Sequence, residues 1–383
     1  MKKQICFVVT LELSVKVFLA DHMRYLQDMF DLTLVVNTTD VHFLEKYDIR
    51  ARVIPLGISR NITPFHDIKC LVELYRIFRT NKFDIIHSIM PKSGLLAMVA
   101  GLSARVPVRI HTFTGQFWKN LFGVKKTILK SIDKLMANCA THILVDSPSQ
   151  REYLIAQGVV GRSKSSVVGQ GSICGVDIER FAYKEEARLR IRKMLEIPDE
   201  AIVFLFLGRI TRDKGVLDLA QAFSGLCERY PLAHLIIAGP DEGDLSKKIG
   251  EICFKCGDHV HLNGFVEKPE EYMSAADVFC LPSYREGFGQ VIAEAAAAGI
   301  PSIGSNIYGI TDTIEDGVNG FLFEPGAWHE LRQKMTRFLE YPDLVKKMGK
   351  QARQNTIDRY SKKKVVSEMS KFYVNLISAK INV

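Results

Sequence analysis

Between Pro282 and Gly299 the chain reads Pro-Ser-Tyr-Arg-Glu-Gly-Phe-Gly-Gln-Val-Ile-Ala-Glu-Ala-Ala-Ala-Ala-Gly. The apolar run 278–281 before it has the pattern of a buried strand end. Gly287 and Gly289 mark a turn, and the alanine-rich run after them a helix, which Gly299 stops and Pro301 keeps stopped. A strand, a glycine-bearing turn and a helix start make an anion site, because the first amides of a helix have no partner. Glycine also lets the backbone approach a phosphate closely. Glu286 stands in the turn and Glu294 in the helix. A carboxylate beside a phosphate site suits a sugar diol, since it accepts hydrogen bonds from two neighbouring hydroxyls. The stretch therefore describes a phosphate with a sugar on each side, as in a nucleotide sugar. Strand–turn–helix units are common, however, and both glutamates are also compatible with plain solvated roles, so the rest of the chain must decide.

Outward from this stretch, short apolar runs alternate with helical periodicity. Toward the C-terminal side of residue 183 the pattern gives strands at 201–207, 234–238, 260–262, 278–281 and 301–303, with helices at 216–230, 244–256 and 269–276. The run 201–207 is apolar throughout, as in a strand buried on both faces. The first half repeats the scheme. Its strands are expected at 4–10, 32–37, 52–55, 84–89, 108–113, 142–145 and 166–168, and its helices at 15–29, 68–80, 92–102, 117–139 and 149–157. Such alternation argues for α/β architecture in two doubly wound parallel-sheet domains, 1–182 and 183–383, joined near 176–184, with a helical segment from 328 onward. In open parallel sheets ligands bind beyond the carboxyl ends of the strands, so two sheets facing each other would form a cleft.

The length of 383 residues suits two cores rather than one. Hydrophobic and charged fractions of 47% and 25% are those of a soluble globular protein. The formal net charge of +8 favours anionic partners such as phosphorylated substrates or an acidic membrane surface, and no nucleic-acid motif accompanies it. The N-terminal stretch has neither the pattern of a signal peptide nor that of a span, since Glu12 and Lys16 interrupt it. The eight cysteines are scattered, and Cys253 and Cys256 form a lone CxxC without further ligands at zinc spacing. This usage predicts a reduced, cytoplasmic protein with no metal.

The strand ending at Leu207 leads into Gly208-Arg209-Ile210-Thr211-Arg212-Asp213-Lys214-Gly215. Gly208 lets the chain turn, and the Arg209 fork and the Lys214 point charge suit a diphosphate leaving group. These residues, followed by Asn263-Gly264-Phe265, by Glu286-Gly287-Phe288-Gly289 with Glu294, and by Asp316-Gly317-Val318-Asn319-Gly320-Phe321-Leu322, resemble the retaining glycosyltransferases of family 4. The resemblance implies the GT-B fold, two Rossmann-like domains facing across a cleft. The first would bind acceptor and the second donor, with the last helices, about 360–383, crossing back to the first. By the same resemblance Glu294 would hold the ribose, Glu286 the donor sugar, Arg209 and Lys214 the diphosphate, the Phe288–Gly289 backbone the sugar or phosphate, and the segment Gly264 to Val266 would border the base. In the first domain His87, Pro91-Lys92-Ser93-Gly94, and Arg109 to Gly115 resemble bacterial members that act on lipid-linked glycans of O-antigen, capsule or protein glycosylation. His111 falls where the family places a histidine that contacts the donor sugar, and is equally compatible with a strand-end structural role. The glycine pair frequent after the family's first strand is replaced by residues 11–16.

The implied reaction moves a hexose or N-acetylhexosamine from a nucleoside-diphosphate sugar, with UDP the expected base, to a hydroxyl of a glycan or polyprenyl-diphosphate-linked acceptor, with retention and without metal. Arg209, Lys214 and helix amides would answer the charge building on the diphosphate, and no Asp-x-Asp pair for a metal-bound diphosphate occurs. A UDP-sugar epimerase on the same fold and a non-catalytic nucleotide-sugar-binding protein remain alternatives, which a product assay with donor alone separates. Finally, Lys126, Lys130 and Lys134 recur along the helix expected at 117–139, beside Leu121, Val124, Ile128, Ile132 and Leu135. Either this is a basic amphipathic helix lying on the inner face of the cytoplasmic membrane, or the apolar stripe packs on the sheet.

Overall fold

Short apolar runs become the strands of two parallel sheets in the computed structural model, which describes residues 2–59 and 61–381. The first sheet holds β1 (Lys3–Leu11), β2 (Phe30–Asn37), β3 (Arg52–Pro55), β4 (Ile85–Ile89), β5 (Val108–Phe113), β6 (His142–Val145) and β7 (Ser165–Ser166), in the order β3-β2-β1-β4-β5-β6-β7. The second holds β8 (Ile202–Leu207), β9 (Ala233–Ala238), β10 (Val260–Leu262), β11 (Val278–Leu281), β12 (Ser302–Ser305) and β13 (Gly320–Phe323), in the order β10-β9-β8-β11-β12-β13. In each, the first strand lies inside the sheet and the chain winds away from it in both directions, so β1/β4 and β8/β11 are the switch points. The run that makes β8 is apolar without alternation because helices cover both of its faces.

In the first unit, α1 (Pro64–Asn81), α2 (Pro91–Ser103) and α3 (Gly123–Cys139) cover one face of the sheet. Leu74 and Phe78 of α1, Ala97 and Met98 of α2, and Met136 and Ala137 of α3 join Cys6, Val8 and Val35 in one buried cluster. Proline at the start of α1 and α2 suits positions whose amide is unpaired in any helix. On the other face, the helix Ala20–Leu26 and the C-terminal helix Lys362–Ile381 pack on Ile5, Phe7 and Val9. Tyr373 of that last helix is buried edge-on against Phe7, ring centroids 6.3 Å apart, and its hydroxyl is paired with Nδ1 of His87.

Several boundaries differ from expectation. The first unit comprises the chain up to Gly175 together with the segment from Lys363 onward, and the second is Val176–Lys362. The division thus falls before residue 182, because Val176 is already tied into the second unit. Its amide donates to the Tyr360 carbonyl at 2.7 Å, and Lys362 reaches Asp177 at 3.2 Å. The helix expected at 15–29 is broken into Glu12–Ser14, a π-turn Val15–Leu19 and Ala20–Leu26. The helix expected at 117–139 begins only at Gly123, because Trp118 turns into the core and its indole donates to Asp133 at 2.7 Å. The helix expected at 216–230 stops at Ser224, and β13 lies in the turn-rich run after Asp316. The expectation of wholly reduced cysteines is corrected at one place. Cys227 and Cys256 form a disulfide across 29 residues, Cα atoms 5.4 Å apart, while Cys253 of the CxxC remains free and buried. Folding packs the segments after Ser224 and around Cys256 together, which local spacing does not show.

The stripe on α3 does not pack on the sheet as a whole. Met136 is buried, but Val124, Ile128 and Leu135 are 75%, 53% and 50% exposed. Lys130 leaves the lysine row: its ammonium donates to the Gln157 side chain at 3.0 Å and lies over the Trp118 ring.

Candidate functional site

The carboxyl edge of the second sheet, at its β8/β11 switch point, carries a cavity of about 440 Å³. Segments that follow four strands line it. After β8 come Gly208, Arg209 and Lys214, after β9 Gly239 and Pro240, after β10 Phe265, Val266 and Pro269, and after β11 Glu286, Gln290 and Val291. Two glycines permit this convergence. Gly215, at φ +68°, lies so close to the β11 exit that a β-carbon there would stand 1.9 Å from the Pro282 carbonyl oxygen. Gly239, at φ +145°, would set a β-carbon 1.9 Å from the Gly208 oxygen. Any side chain at either position would push apart the loops that hold the cationic groups.

The turn 212–214 and the turn after β11 are stapled together. The Tyr284 amide donates to the Asp213 carbonyl at 2.9 Å, and the Arg285 guanidinium meets the Asp213 carboxylate at 2.9 Å. Burial works to raise the Asp213 pKa, but the hydrogen bonds from Thr211 and Arg285 outweigh it and hold the group below the usual carboxylate range. On this frame Lys214 reaches Glu286 at 2.5 Å, both side chains largely enclosed, and the Ser283 hydroxyl donates to the same carboxylate oxygen at 2.8 Å. Arg209 is held differently. It pairs with Glu242 at 2.8 Å with both side chains about half exposed, a contact of small strength that a ligand displaces at little cost.

Gly289, at φ +73°, sets the start of α4 (Gln290–Ala297) and has no side chain with which to cap it. The first turn of this helix carries no acidic residue, so the helix dipole favours an anion there. The Phe288 ring is buried against Tyr360 at 4.9 Å, so Gly287 and Phe288 have only backbone to offer a ligand. Glu294 lies within α4. Burial pushes its carboxyl up to about 7, against the lowering effects of Gln290, which donates at 3.4 Å, and of the Arg180 charge. Arg180 itself is bound to Glu270 at 2.9 Å. Gly264 sits at φ +56° beside open space, its carbonyl accepting from the Gly239 amide, and Phe265 is 73% exposed at the rim.

Of the residues expected to act together, the structure gathers Gly208, Arg209, Lys214, Glu286, Phe265 and Val266 around one cavity, with Gly264, Gly287, Phe288, Gly289 and Glu294 in the adjoining segments. It adds Gln290, Pro240 and Pro269 to the lining, and the Asp213–Arg285 staple behind it. Asp213 and Arg285 both stand in the stretches quoted above, but their partnership spans 72 residues and has no local signature.

His111 belongs to the first unit. It is 1% exposed, its Nδ1 lies 3.0 Å from the Ser88 hydroxyl, and it lines a narrow cavity of about 70 Å³ with Pro91, Thr114 and Trp118. Burial pushes its pKa down to about 3, so it is a neutral imidazole. His87, also near 3 through burial and the neighbouring His111, bridges Thr112 and Tyr373 and is structural. Among the described residues no group of three or more His, Cys, Asp or Glu side chains is arranged to hold a metal ion, and no helix is long and apolar enough to cross a membrane.

Known proteins are similar to this chain in sequence and in fold. The family described as "Glycosyl transferases group 1" matches residues 187–355, and that described as "Glycosyl transferase 4-like domain" matches residues 17–171. The chain is 29% identical over 339 residues to the "Capsular polysaccharide biosynthesis glycosyltransferase CapM" of Staphylococcus aureus, covering 88% of each chain. It is 26% identical over 356 residues to the "UDP-Gal:alpha-D-GlcNAc-diphosphoundecaprenol alpha-1,3-galactosyltransferase" of Escherichia coli, covering 91% of this chain and 90% of that one. Among solved structures, Anabaena HepE in complex with UDP superposes with a TM-score of 0.80 at 18% identity, over 98% of this chain and 100% of that one.

Proposed function

From the premise that this chain belongs to the group 1 glycosyl transferases, with a glycosyl transferase 4-like first domain on the GT-B fold, we propose that it transfers a hexose or N-acetylhexosamine from a UDP-sugar. The acceptor is a hydroxyl of a polyprenyl-diphosphate-linked glycan at the inner face of the cytoplasmic membrane. The observation that carries this reading is the 440 Å³ cavity in which Arg209, Lys214 and Glu286 converge at a switch point beside the glycine-led start of α4. The relatives in capsule and lipid-linked glycan synthesis support the acceptor class, and the UDP-galactose enzyme among them supports the base.

In this mechanism Arg209 leaves Glu242 for the diphosphate, and Lys214 shares its charge between Glu286 and the leaving phosphate. The first amides of α4 add fixed dipoles at the same place. Glu286, oriented by Ser283 and Lys214, accepts hydrogen bonds from the transferred sugar. Glu294 holds the ribose diol. The acceptor oxygen bonds to the anomeric carbon on the face from which the diphosphate departs. The carbon–oxygen bond to phosphate breaks, and the leaving phosphate oxygen takes the acceptor proton, so configuration is retained.

Incubation with UDP-, GDP- and ADP-sugars and an undecaprenyl-diphosphate-linked sugar, read by mass spectrometry, tests the proposal. One added hexose from the UDP donor is expected. A changed donor with no acceptor product would instead identify an epimerase.

A further inference from the structure

The amino edge of the first sheet, the end opposite the carboxyl edge of its strands, carries a cavity that the proposed reaction leaves unused. There α1 ends at Asn81 and leads through 82–84 into β4, and α2 ends at Ser103 and leads through 104–107 into β5. The two strands pair in parallel, Ile85 opposite Val108, so the two short loops lie side by side. The cavity they border holds about 320 Å³, within the range of roughly 300–1,000 Å³ that small-molecule sites occupy. Its buried lining is apolar, with Val106 beside the rings of Phe78 and Phe83, which meet edge-on at 6.2 Å. Its exposed lining is cationic: Arg79 from the last turn of α1, Lys82 from the first loop and Arg105 from the second.

Exposed arginines elsewhere on the chain sit against acids: Arg50 meets Asp28 at 2.5 Å, Arg162 meets Glu152 at 2.6 Å and Arg180 meets Glu270 at 2.9 Å. Among the described residues Arg79, Lys82 and Arg105 make no side-chain hydrogen bond or ion pair. The carboxylate of the lining, Asp84, is already engaged by Lys3 at 2.9 Å and by the Gln4 amide at 2.9 Å. The fold thus gathers three cations around one cavity and supplies no anion for them. The two loops are also built alike. Each turns on a residue in the left-handed region, Lys82 at φ 50° and Arg105 at φ 59°. Glycine adopts this conformation at least cost and is the usual residue after a helix, yet both loops place a cation there. A basic side chain that serves only the helix dipole bonds the last carbonyls, and none of these three does. We propose that this cavity binds a small soluble molecule carrying a phosphoryl or diphosphoryl group, at a site distinct from the donor cavity of the second unit. The guanidinium forks of Arg79 and Arg105 suit phosphate oxygens, Lys82 adds a point charge, and the apolar lining covers the body of the ligand. A concave site of this kind takes a molecule, where a flat basic face would take a plane of phosphates. A ligand held from both loops also ties the ends of α1 and α2 together.

The test uses the full chain and inorganic diphosphate as the probe, by calorimetry at constant ionic strength. The Arg79→Gln/Lys82→Gln/Arg105→Gln variant should take up one diphosphate fewer than wild type. Equal stoichiometry in the two proteins overturns the proposal, and so does displacement of the bound diphosphate by chloride alone, which would make it a screened counterion. A second measurement needs no variant. Pyridoxal phosphate condenses its aldehyde with a lysine amine, releasing water, and borohydride reduces the imine to a stable secondary amine that peptide mass spectrometry locates. Lys82 should be labelled faster than Lys69, an exposed lysine of the same helix outside the cavity. Diphosphate at ten times its dissociation constant should slow labelling of Lys82 about tenfold and leave Lys69 unchanged. Equal labelling of the two lysines, or protection of both alike, overturns the site. Protection of Lys82 by vesicles containing phosphatidylglycerol, with none from diphosphate, would assign the cations to lipid headgroups and overturn the soluble ligand.

Discussion

Replacing Glu294 with glutamine should flatten a pH dependence that the wild type shows in donor binding. Burial pushes the Glu294 carboxyl up to about 7, so near neutral pH the group is divided between its acid and its anion. A ribose diol donates two hydrogen bonds best to the anion, which accepts at both oxygens. Below pH 7 the ligand must therefore expel a proton to bind. The apparent dissociation constant rises by the factor one plus ten to the power of pKa minus pH. Between pH 8 and pH 6 that is a weakening of about tenfold, or about 1.4 kcal/mol. The assay is calorimetry with UDP-glucose and no acceptor, because the esterified diphosphate does not itself titrate in this range. Repeating it at pH 6 in buffers of different ionisation heat should show close to one proton released. Glu294→Gln should bind more weakly at pH 8 and show neither the slope nor the proton. The same shift has a stability consequence of opposite direction. The folded protein holds this proton between 4.5 and about 7 while the unfolded chain does not. Wild-type stability relative to the variant should therefore fall as pH rises through that window and level off above it. Equal wild-type affinity at pH 6 and pH 8, or an identical slope in Glu294→Gln, would refute the placement of this carboxyl against the ligand.

Three further outcomes follow from the same site. Arg209→Ala should lower the turnover rate by about 10²–10³ while leaving the melting temperature unchanged, since its exposed pair with Glu242 contributes little to stability; a wild-type rate would place the residue outside the chemistry. Glu286→Ala should leave UDP affinity nearly intact but abolish most transfer, measured by calorimetry beside a product assay, and equal loss of both would contradict its assignment to the transferred sugar. Turnover should survive EDTA, because Arg209, Lys214 and the α4 amides take the diphosphate charge, and restoration of a lost rate by magnesium or manganese would overturn that assignment.

Much of the fold was legible because its signals are local. The runs that became β8 and β11 are apolar without a break, that of β9 is interrupted only by His234, and such runs bounded by glycine or proline bury well only as interior strands. The stretch from Gly208 to Gly215 and the one from Glu286 to Glu294 carry residue types that suit tight turns and phosphates, and the sheet places both at one edge. Other features had no local signature. The strand β13 hides in a turn-rich run, and its place is set by pairing with β12. The π-turn at Val15–Leu19 reads as ordinary helical periodicity.

The sequence by itself determined the alternation of strands and helices, the glycine turns and the identity of the charged groups, since each depends on neighbours within a few residues. Only the tertiary structure decided which charges meet and which surfaces stay wet. Asp213 finds Arg285, and Lys214 finds Glu286, because β8 and β11 are adjacent in the sheet. Cys256 meets Cys227 rather than its near neighbour Cys253. Lys130 turns to Gln157 and drops out of a lysine row that spacing alone would keep. Phe65 and Phe122 read as ordinary apolar residues, and only the packing of α1 and α3 leaves them in water at the same edge. The raised pKa of Glu294 likewise belongs to the protein around it. Burial, charge pairing and exposure are sums over atoms brought close in space, and the chain order of those atoms does not contain the distances.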